Sequence, residues 1–234
     1  FLIGFVIALM IGTIILIIQE KNPLETFSLM FRLSLGSVNS FTSSLNKAVP
    51  LILAGLGISI INSVKFWNIG AEGQIFFGAI AVNYIYINTQ VTNSTMLIFV
   101  LLISGFVGGA ICILIPAITK VFFGVNEIIT TLLTNYIAIG ITIYLINGPW
   151  KDPGSLNFPA AEYIGEEVYL PTIFGKLSFG FIVCITFTVI AFYLKNKSIF
   201  GYELRIAGGS ELTAIYAGIN AKQKAFIAML IGGG

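Results

Sequence analysis

Apolar runs as long as a bilayer is thick recur along this chain, and nothing else in it narrows the fold so far. A hydrocarbon core of about 30 Å takes about 20 helical residues to cross. Runs near that length lie at residues 1–18, 48–64, 71–87, 96–118, 125–146 and 177–194, and another opens at 225–234. Within lipid every backbone polar group must be satisfied internally, so only helices or closed barrels cross it. A barrel would need short segments of alternating polarity, whereas these runs are continuous. Charge agrees: 9% of residues are charged and 57% are hydrophobic, against about 25% charge in a soluble domain. The mean hydropathy is +0.98. We therefore expect an all-α polytopic membrane protein, one transmembrane domain over residues 1–234.

Several chemistries are excluded. A net charge of +2 is too small for a nucleic-acid surface. There is no histidine, which removes Ser-His-Asp and Cys-His triads, histidine zinc sites and haem ligation by histidine. No G-x-x-x-x-G-K-S/T loop occurs, so the chain does not hold ATP in that way. Cys112 and Cys184 sit inside apolar runs and read as buried small hydrophobes, not as a disulfide or metal pair. No catalytic residue, metal ligand or cofactor is assigned to the chain. It opens at Phe1 and stops at Gly234 inside an apolar run, and we expect it to be part of a longer protein.

The connectors set the order. Gln19-Glu20-Lys21 continues as polar sequence, which favours an anchor over a cleaved signal peptide. Residues 22–47 read as a short amphipathic helix near Leu24–Leu33, then a Ser/Asn-rich loop, Ser34–Asn46. Pro50 falls in the first turn of the next run. Gly55 and Gly57, and then Gly105, Gly108 and Gly109, offer small-residue faces for close helix packing. Pro116 marks the end of its run, and 120–124 is a connector. Asn88–Ser94 reads as an uncharged turn. The longest break, 147–176, is dense in turn formers from Gly148 to Gly154 and acidic at Glu162, Glu166 and Glu167. Trp150, Tyr163 and Tyr169 suit a membrane interface.

Basic residues favour the cytoplasmic side. Lys195, Lys197, Arg205, Lys222 and Lys224 therefore place 195–224 inside and the acidic 147–176 break outside. Counting back puts Lys120 inside, Asn88–Ser94 outside and Lys65–Ala71 inside. Residues 22–47 then fall outside, against the preference of Lys21, Arg32 and Lys47.

Two polar stretches stand out. Phe66-Trp67-Asn68-Ile69-Gly70-Ala71-Glu72-Gly73-Gln74 interrupts two apolar runs. Backbone leaves a helix at membrane depth only where protein or a wet cavity satisfies it, and an ionisable residue there marks a functional site by default. A solvent-exposed turn between two spans is the plain alternative. The second stretch lies in 195–224. Ser210 is placed to cap a helix, Glu211 suits its first turn, and Gly218 is placed to end it in the left-handed conformation. A helix over Ser210–Ala217 is too short to stand alone in water and needs a surface to pack on.

Four segments together carry a family likeness: F-W-N-I-G-A-E-G-Q (66–74), G-V-N-E-I-I-T-T-L-L-T-N-Y-I-A (124–138), N-G-P-W-K-D-P-G-S (147–155) and L-R-I-A-G-G-S-E-L-T-A-I-Y-A-G-I-N (204–220). The chain resembles the integral permease subunits of ABC importers, in the superfamily of ribose and branched-chain amino acid permeases. It looks most like the branch for nucleosides and related simple sugars. One departure is that Ser210-Glu211 stand where the family usually has Asn-Pro.

The resemblance implies a type-II importer bundle with a broken helix near Asn68–Gln74 and about eight to ten spans in the whole subunit. It implies a second permease subunit, identical or homologous, and a cytoplasmic ATPase that holds ATP and magnesium. A binding protein or lipoprotein would deliver solute from outside. Arg205, Gly208, Gly209, Ser210, Glu211, Ala214, Tyr216 and Gly218 would form the ATPase-coupling element. Asn68, Glu72, Gln74, Asn126 and Asn135, with Glu127 beside them, would line the solute pathway, since amides both donate to and accept from ribose hydroxyls and base edges. Asn135 has an interhelical hydrogen bond as its alternative role, and Glu127 and Glu72 that of helix N-terminal acids. The rival classes are a secondary active transporter, which also uses broken helices, and a branched-chain amino acid or ribose ABC permease. An intramembrane enzyme lacks a carboxylate pair within the spans, and a scaffold leaves the polar break without a purpose.

Overall fold

The computed structural model describes residues 2–155, 160–161, 164–165 and 168–234. Glu162, Tyr163, Glu166 and Glu167 of the expected outer loop lie outside the described residues, as does the Glu211 side chain. The chain divides into two compact units, Phe1–Val49 with Leu170–Ile182, and Pro50–Tyr169 with Val183–Gly234. Helices α3 (Val38–Ile61) and α7 (Gly180–Asn196) each run from one unit into the other.

The smaller unit begins with α1 (Leu2–Ile18) and α2 (Pro23–Leu35), which meet at 117°. The chain turns through Glu20, at φ 57°. Asn22 then caps α2 by accepting from the Leu24 N–H at 3.0 Å, with Pro23 in the first helical position. The Ser/Asn-rich stretch is not the loop its composition predicts. Only Gly36 and Ser37 interrupt it, and α3 starts at Val38 rather than Ala48.

Its polar side chains have partners that sequence does not display. The Ser37 hydroxyl accepts from the Ser40 N–H at 3.1 Å. Thr42, 3% exposed, accepts from the Lys176 N–H at 3.0 Å. Asn46 accepts from the Ser178 N–H at 3.0 Å and donates to the Lys176 carbonyl at 2.6 Å. They hold a hairpin that was also unforeseen, β1 (Thr172–Phe174) with β2 (Leu177–Ser178), so α7 begins at Gly180 and not at Leu177.

The larger unit holds the rest of α3 with a 3-10 turn at Asn62–Val64, then α4 (Ala71–Asn88), α5 (Ser94–Phe123), α6 (Glu127–Asn147), the rest of α7, α8 (Ile199–Gly209), α9 (Glu211–Tyr216) and α10 (Ala221–Gly233). Helix α5 runs straight through Pro116, which does not end it. The ring is fully buried, and neighbouring helices and Ser/Thr groups let membrane helices tolerate such a proline. The left-handed Gly124, at φ 67°, ends α5 instead. Ile61, Phe66, Ile113, Ala117 and Met229 form one core cluster, and Ile60, Leu204 and Ala228 a second. Both free cysteines are buried.

Glycines set the closest helix approaches. A methyl at Gly108 would meet the Phe77 carbonyl of α4 at 2.6 Å. One at Gly57 would collide with the Gly232 carbonyl of α10, and one at Gly109 with that of Gly233. Gly55, expected in the same seam as Gly57, has nothing within 4 Å.

Among the described residues, residues 38–64, α5 and α6 are long and apolar enough to cross a membrane, or five spans if the bent pairs α1–α2 and α7–α8 each count as one. Helix α5 exposes Phe99, Ile103 and Ile115, a surface that suits lipid and not water. Helix α4, expected as a span, is not in this set. Glu72, Gln74, Asn83 and Asn88 dilute its apolar character, and it packs between α5 and α6. Helix α10 is also outside the set, with 13 residues.

The seam generates a paired prediction. Gly108→Val should cost about 1–3 kcal/mol through overpacking and lower the thermal midpoint of the detergent-solubilised protein. Gly55→Val should leave the midpoint near wild type. Equal effects would show that the α4–α5 approach does not limit stability.

Candidate functional site

After the 3-10 turn the chain leaves helix at Lys65, at φ 54°, and does not resume until Ala71. This break is not a plain solvent turn, because Phe66 and Gly70 within it are buried. Its polar groups satisfy one another. Asn68 Nδ2 donates to Gln74 Oε1 at 3.1 Å, and Gln74 Nε2 donates back to Asn68 Oδ1 at 3.2 Å. The same Asn68 oxygen accepts from the Gly70 N–H at 2.9 Å. Gln74 is 8% exposed, a burial that an amide tolerates only with such partners.

Helix α6 pins the break from the side. The Gly73 N–H, an unsatisfied donor of the first turn of α4, donates to Asn135 Oδ1. Thr131 Oγ1 accepts from the Ile69 N–H at 3.3 Å and donates to the Glu127 carbonyl at 2.7 Å. A Cβ on Gly73 would run into Asn135, and one on Gly70 into the Thr131 carbonyl, so both glycines are required by close approach. The Asn135 Nδ2 lies 3.5 Å from a Glu72 oxygen, a long contact, and Glu72 itself is exposed.

Asn68, Glu72, Gln74 and Asn135 are thus brought together. Asn126 is not joined to them: it is exposed and caps α6 by accepting from the Ile128 N–H at 2.9 Å. Glu127 is buried and paired with Lys120 at 2.6 Å across the Gly124 turn, and the Trp67 backbone adds a hydrogen bond.

The second polar stretch folds as two helices, where sequence reading saw one. Ser198 caps α8, accepting from the Gly201 N–H at 3.1 Å. Ser210 caps α9, accepting from the Thr213 N–H at 3.4 Å, and Gly218, at φ 69°, ends it. The residues grouped for coupling divide in two. Gly208 abuts the Ser63 carbonyl of the 3-10 turn, and Ala214 is fully buried. Arg205 donates to the Lys195 carbonyl. Gly209 has nothing within 4 Å. Facing outward are Tyr216, 90% exposed, and two residues not in the expected set, Leu212 and Ile215. That Ala214 turns inward while Leu212, Thr213, Ile215 and Tyr216 are exposed depends on packing, which sequence does not carry.

Sequence reading also passed over a cavity of about 870 Å3 at the far end of α4, lined by Asn83, Tyr84, Asn88, Trp150 and Lys151 among others. The turn residues 147–151 were the available signal.

Residues 40–234 match the family described as the branched-chain amino acid transport system / permease component. Similar proteins include the glucose ABC transporter permease protein TsgB13 of Haloferax volcanii, 30% identical over 97% of this chain and 62% of its own length. The guanosine ABC transporter permease protein NupP of Bacillus subtilis is 28% identical over 99% of this chain and 67% of its own. The nucleoside ABC transporter permease protein NupB of Lactococcus lactis is 28% identical over 99% and 66%. The chain therefore spans about two thirds of the length of these relatives. No solved structure matches it.

The amide pair can be tested by a double-mutant cycle. Gln74→Leu alone strands a partly buried Asn68 amide and should cost about 1–3 kcal/mol; Asn68→Leu should cost more, because the Gly70 N–H also loses its acceptor, and the double variant should cost less than the sum of the two. Asn135→Ala should be as costly, because the Gly73 N–H loses its acceptor. Thermal melts of the wild type, the three pair variants and Asn135→Ala check this.

Proposed function

The chain belongs to the family of branched-chain amino acid transport permease components, and from that premise we propose that it is the transmembrane subunit of an ABC importer for nucleosides or related simple sugars. The names of its relatives favour those two solutes over amino acids.

The observation that carries the mechanism is the contact of Gly208 with Ser63. It joins α8, and through Ser210 the outward-facing α9, to the turn that leads into the polar break. In the proposed cycle a cytoplasmic ATPase, which holds ATP and magnesium, receives α9 on its surface through Leu212, Ile215 and Tyr216. Closure of the ATPase pushes α9 and α8 against the 3-10 turn. Lys65, already left-handed, is the hinge. The start of α4 then shifts against α6, and Asn68, Gln74 and Asn135 exchange partners as the path opens to one side or the other. The Glu203–Lys224 ion pair, at 2.5 Å, and the Lys195 ammonium on Ser59 Oγ, at 2.7 Å, tie α8 to α10 and α7 to α3, so the push is delivered to a braced body. Differential contact in the two states is what allows a partner to shift the equilibrium. A second permease subunit completes the path, and an extracytoplasmic binding protein supplies solute.

The test is uptake of labelled uridine, guanosine, glucose and leucine by cells holding the full-length subunit, its ATPase and its binding protein. Uptake of nucleoside or sugar that vanishes with an inactive ATPase is the expected result. Uptake that ignores the ATPase and collapses with the ion gradient would make the protein a secondary transporter. Leu212→Asp with Tyr216→Asp should cut uptake at least tenfold without lowering the thermal midpoint. Gly208→Val should lower both, since its side chain meets the Ser63 carbonyl.

A further inference from the structure

The cavity at the far end of α4 lies where that helix meets the 89–92 turn and residues 149–151 after α6. Its volume of about 870 Å3 is within the range of small-molecule sites, roughly 300–1,000 Å3. The wall mixes rings and hydrogen-bonding groups. Trp150 is half-buried, and Tyr84 is 58% exposed on α4. The Trp150 side chain stands on a fixed turn: the Trp150 backbone N–H donates to the Leu145 carbonyl at 2.9 Å, the Lys151 N–H donates to the Gly148 carbonyl at 3.2 Å, and Lys151 bridges to Ala161. Asn88 donates through Nδ2 to the Tyr84 carbonyl at 2.8 Å, and its oxygen remains an acceptor by type. Asn83 and Thr92 add groups that both donate and accept.

We propose that this cavity is a receiving site for a neutral nucleoside, with the base on the Trp150 ring and the ribose hydroxyls on the Asn83 and Asn88 amides. The inference rests on the importer reading and makes its solute class specific. Among the described lining residues there is one cation, Lys151, and no acid, so the ammonium of an amino acid finds no partner on them. A rigid indole favours a planar base over a sugar alone. The position suits the role. Asn88 and Gln74 are 14 residues apart on one helix, about 21 Å along its axis, so α4 carries amides at the cavity and at the break. By the charge distribution of the loops this end faces outward, where solute arrives. The reduced apolarity of α4 follows if part of the helix lines a wet path and not lipid.

The test is equilibrium binding of labelled uridine to the full-length permease–ATPase complex in nanodiscs, with the binding protein left out. Saturable binding is expected, weakened roughly tenfold by Trp150→Ala, as for loss of one base–aromatic stack. Trp150→Phe should retain most of it, and Asn83→Leu should weaken it while the thermal midpoint stays unchanged. Excess leucine should not compete. Absence of saturable binding, equal binding by Trp150→Ala, or displacement by leucine would overturn the proposal. So would glucose binding that depends on Trp150 in place of uridine binding. ATPase-dependent nucleoside uptake by the wild type, measured alongside, separates the two readings: if it persists while binding fails, only the receiving site falls.

Discussion

A helix interrupted inside an apolar bundle leaves backbone donors that lipid cannot satisfy, and the larger unit depends on how this is met. Asn135 accepts from the Gly73 N–H, Thr131 from that of Ile69 and Asn68 from that of Gly70. Each bond brings α6 or the break itself against the start of α4, and each needs the absent side chain of Gly70 or Gly73 to make room. Remove the acceptors and the break either refolds as helix or strands polar backbone at a cost of several kcal/mol.

The two ends of that unit differ in kind. At one end a chain of contacts runs from an exposed short helix through Gly208 to the break. At the other, the same α4 ends in a cavity walled by rings and amides. In the proposed cycle helix α4 is thus the element common to the push and to the solute, and its mixed composition suits both. The glycine seams keep α5 and α10 close enough to act as its backing.

Much of this was legible in the sequence, for identifiable reasons. Apolar runs fixed the helices because burial in lipid dominates their energetics, and the cap at Ser210 is local chemistry that a sequence displays directly, whereas Asn126, expected along the solute pathway, is a cap of the same kind. The polar break stood out because Asn68, Glu72 and Gln74, with Lys65 just before them, lie between apolar runs and need an explanation. What failed depended on partners distant in sequence. Ser34–Asn46 looked like a loop because Thr42 and Asn46 find the Lys176–Ser178 backbone more than 130 residues away. Pro116 looked like a helix end because its packing was invisible. The inward turn of Ala214 and outward turn of Leu212 needed the surrounding helices, and the cavity needed residues from three segments.

The reciprocal pair of Asn68 and Gln74 has a consequence of its own. Two carboxamides form a neutral couple that opens and closes without a proton and without moving net charge. A charge carried across the membrane field would be worth about 2.3 kcal/mol per 100 mV, and a carboxylate or histidine in the same place would tie the rearrangement to acidity. This couple does neither. In the proposed cycle its exchange is therefore driven by contacts with the neighbouring helices, and by itself it carries neither charge nor proton.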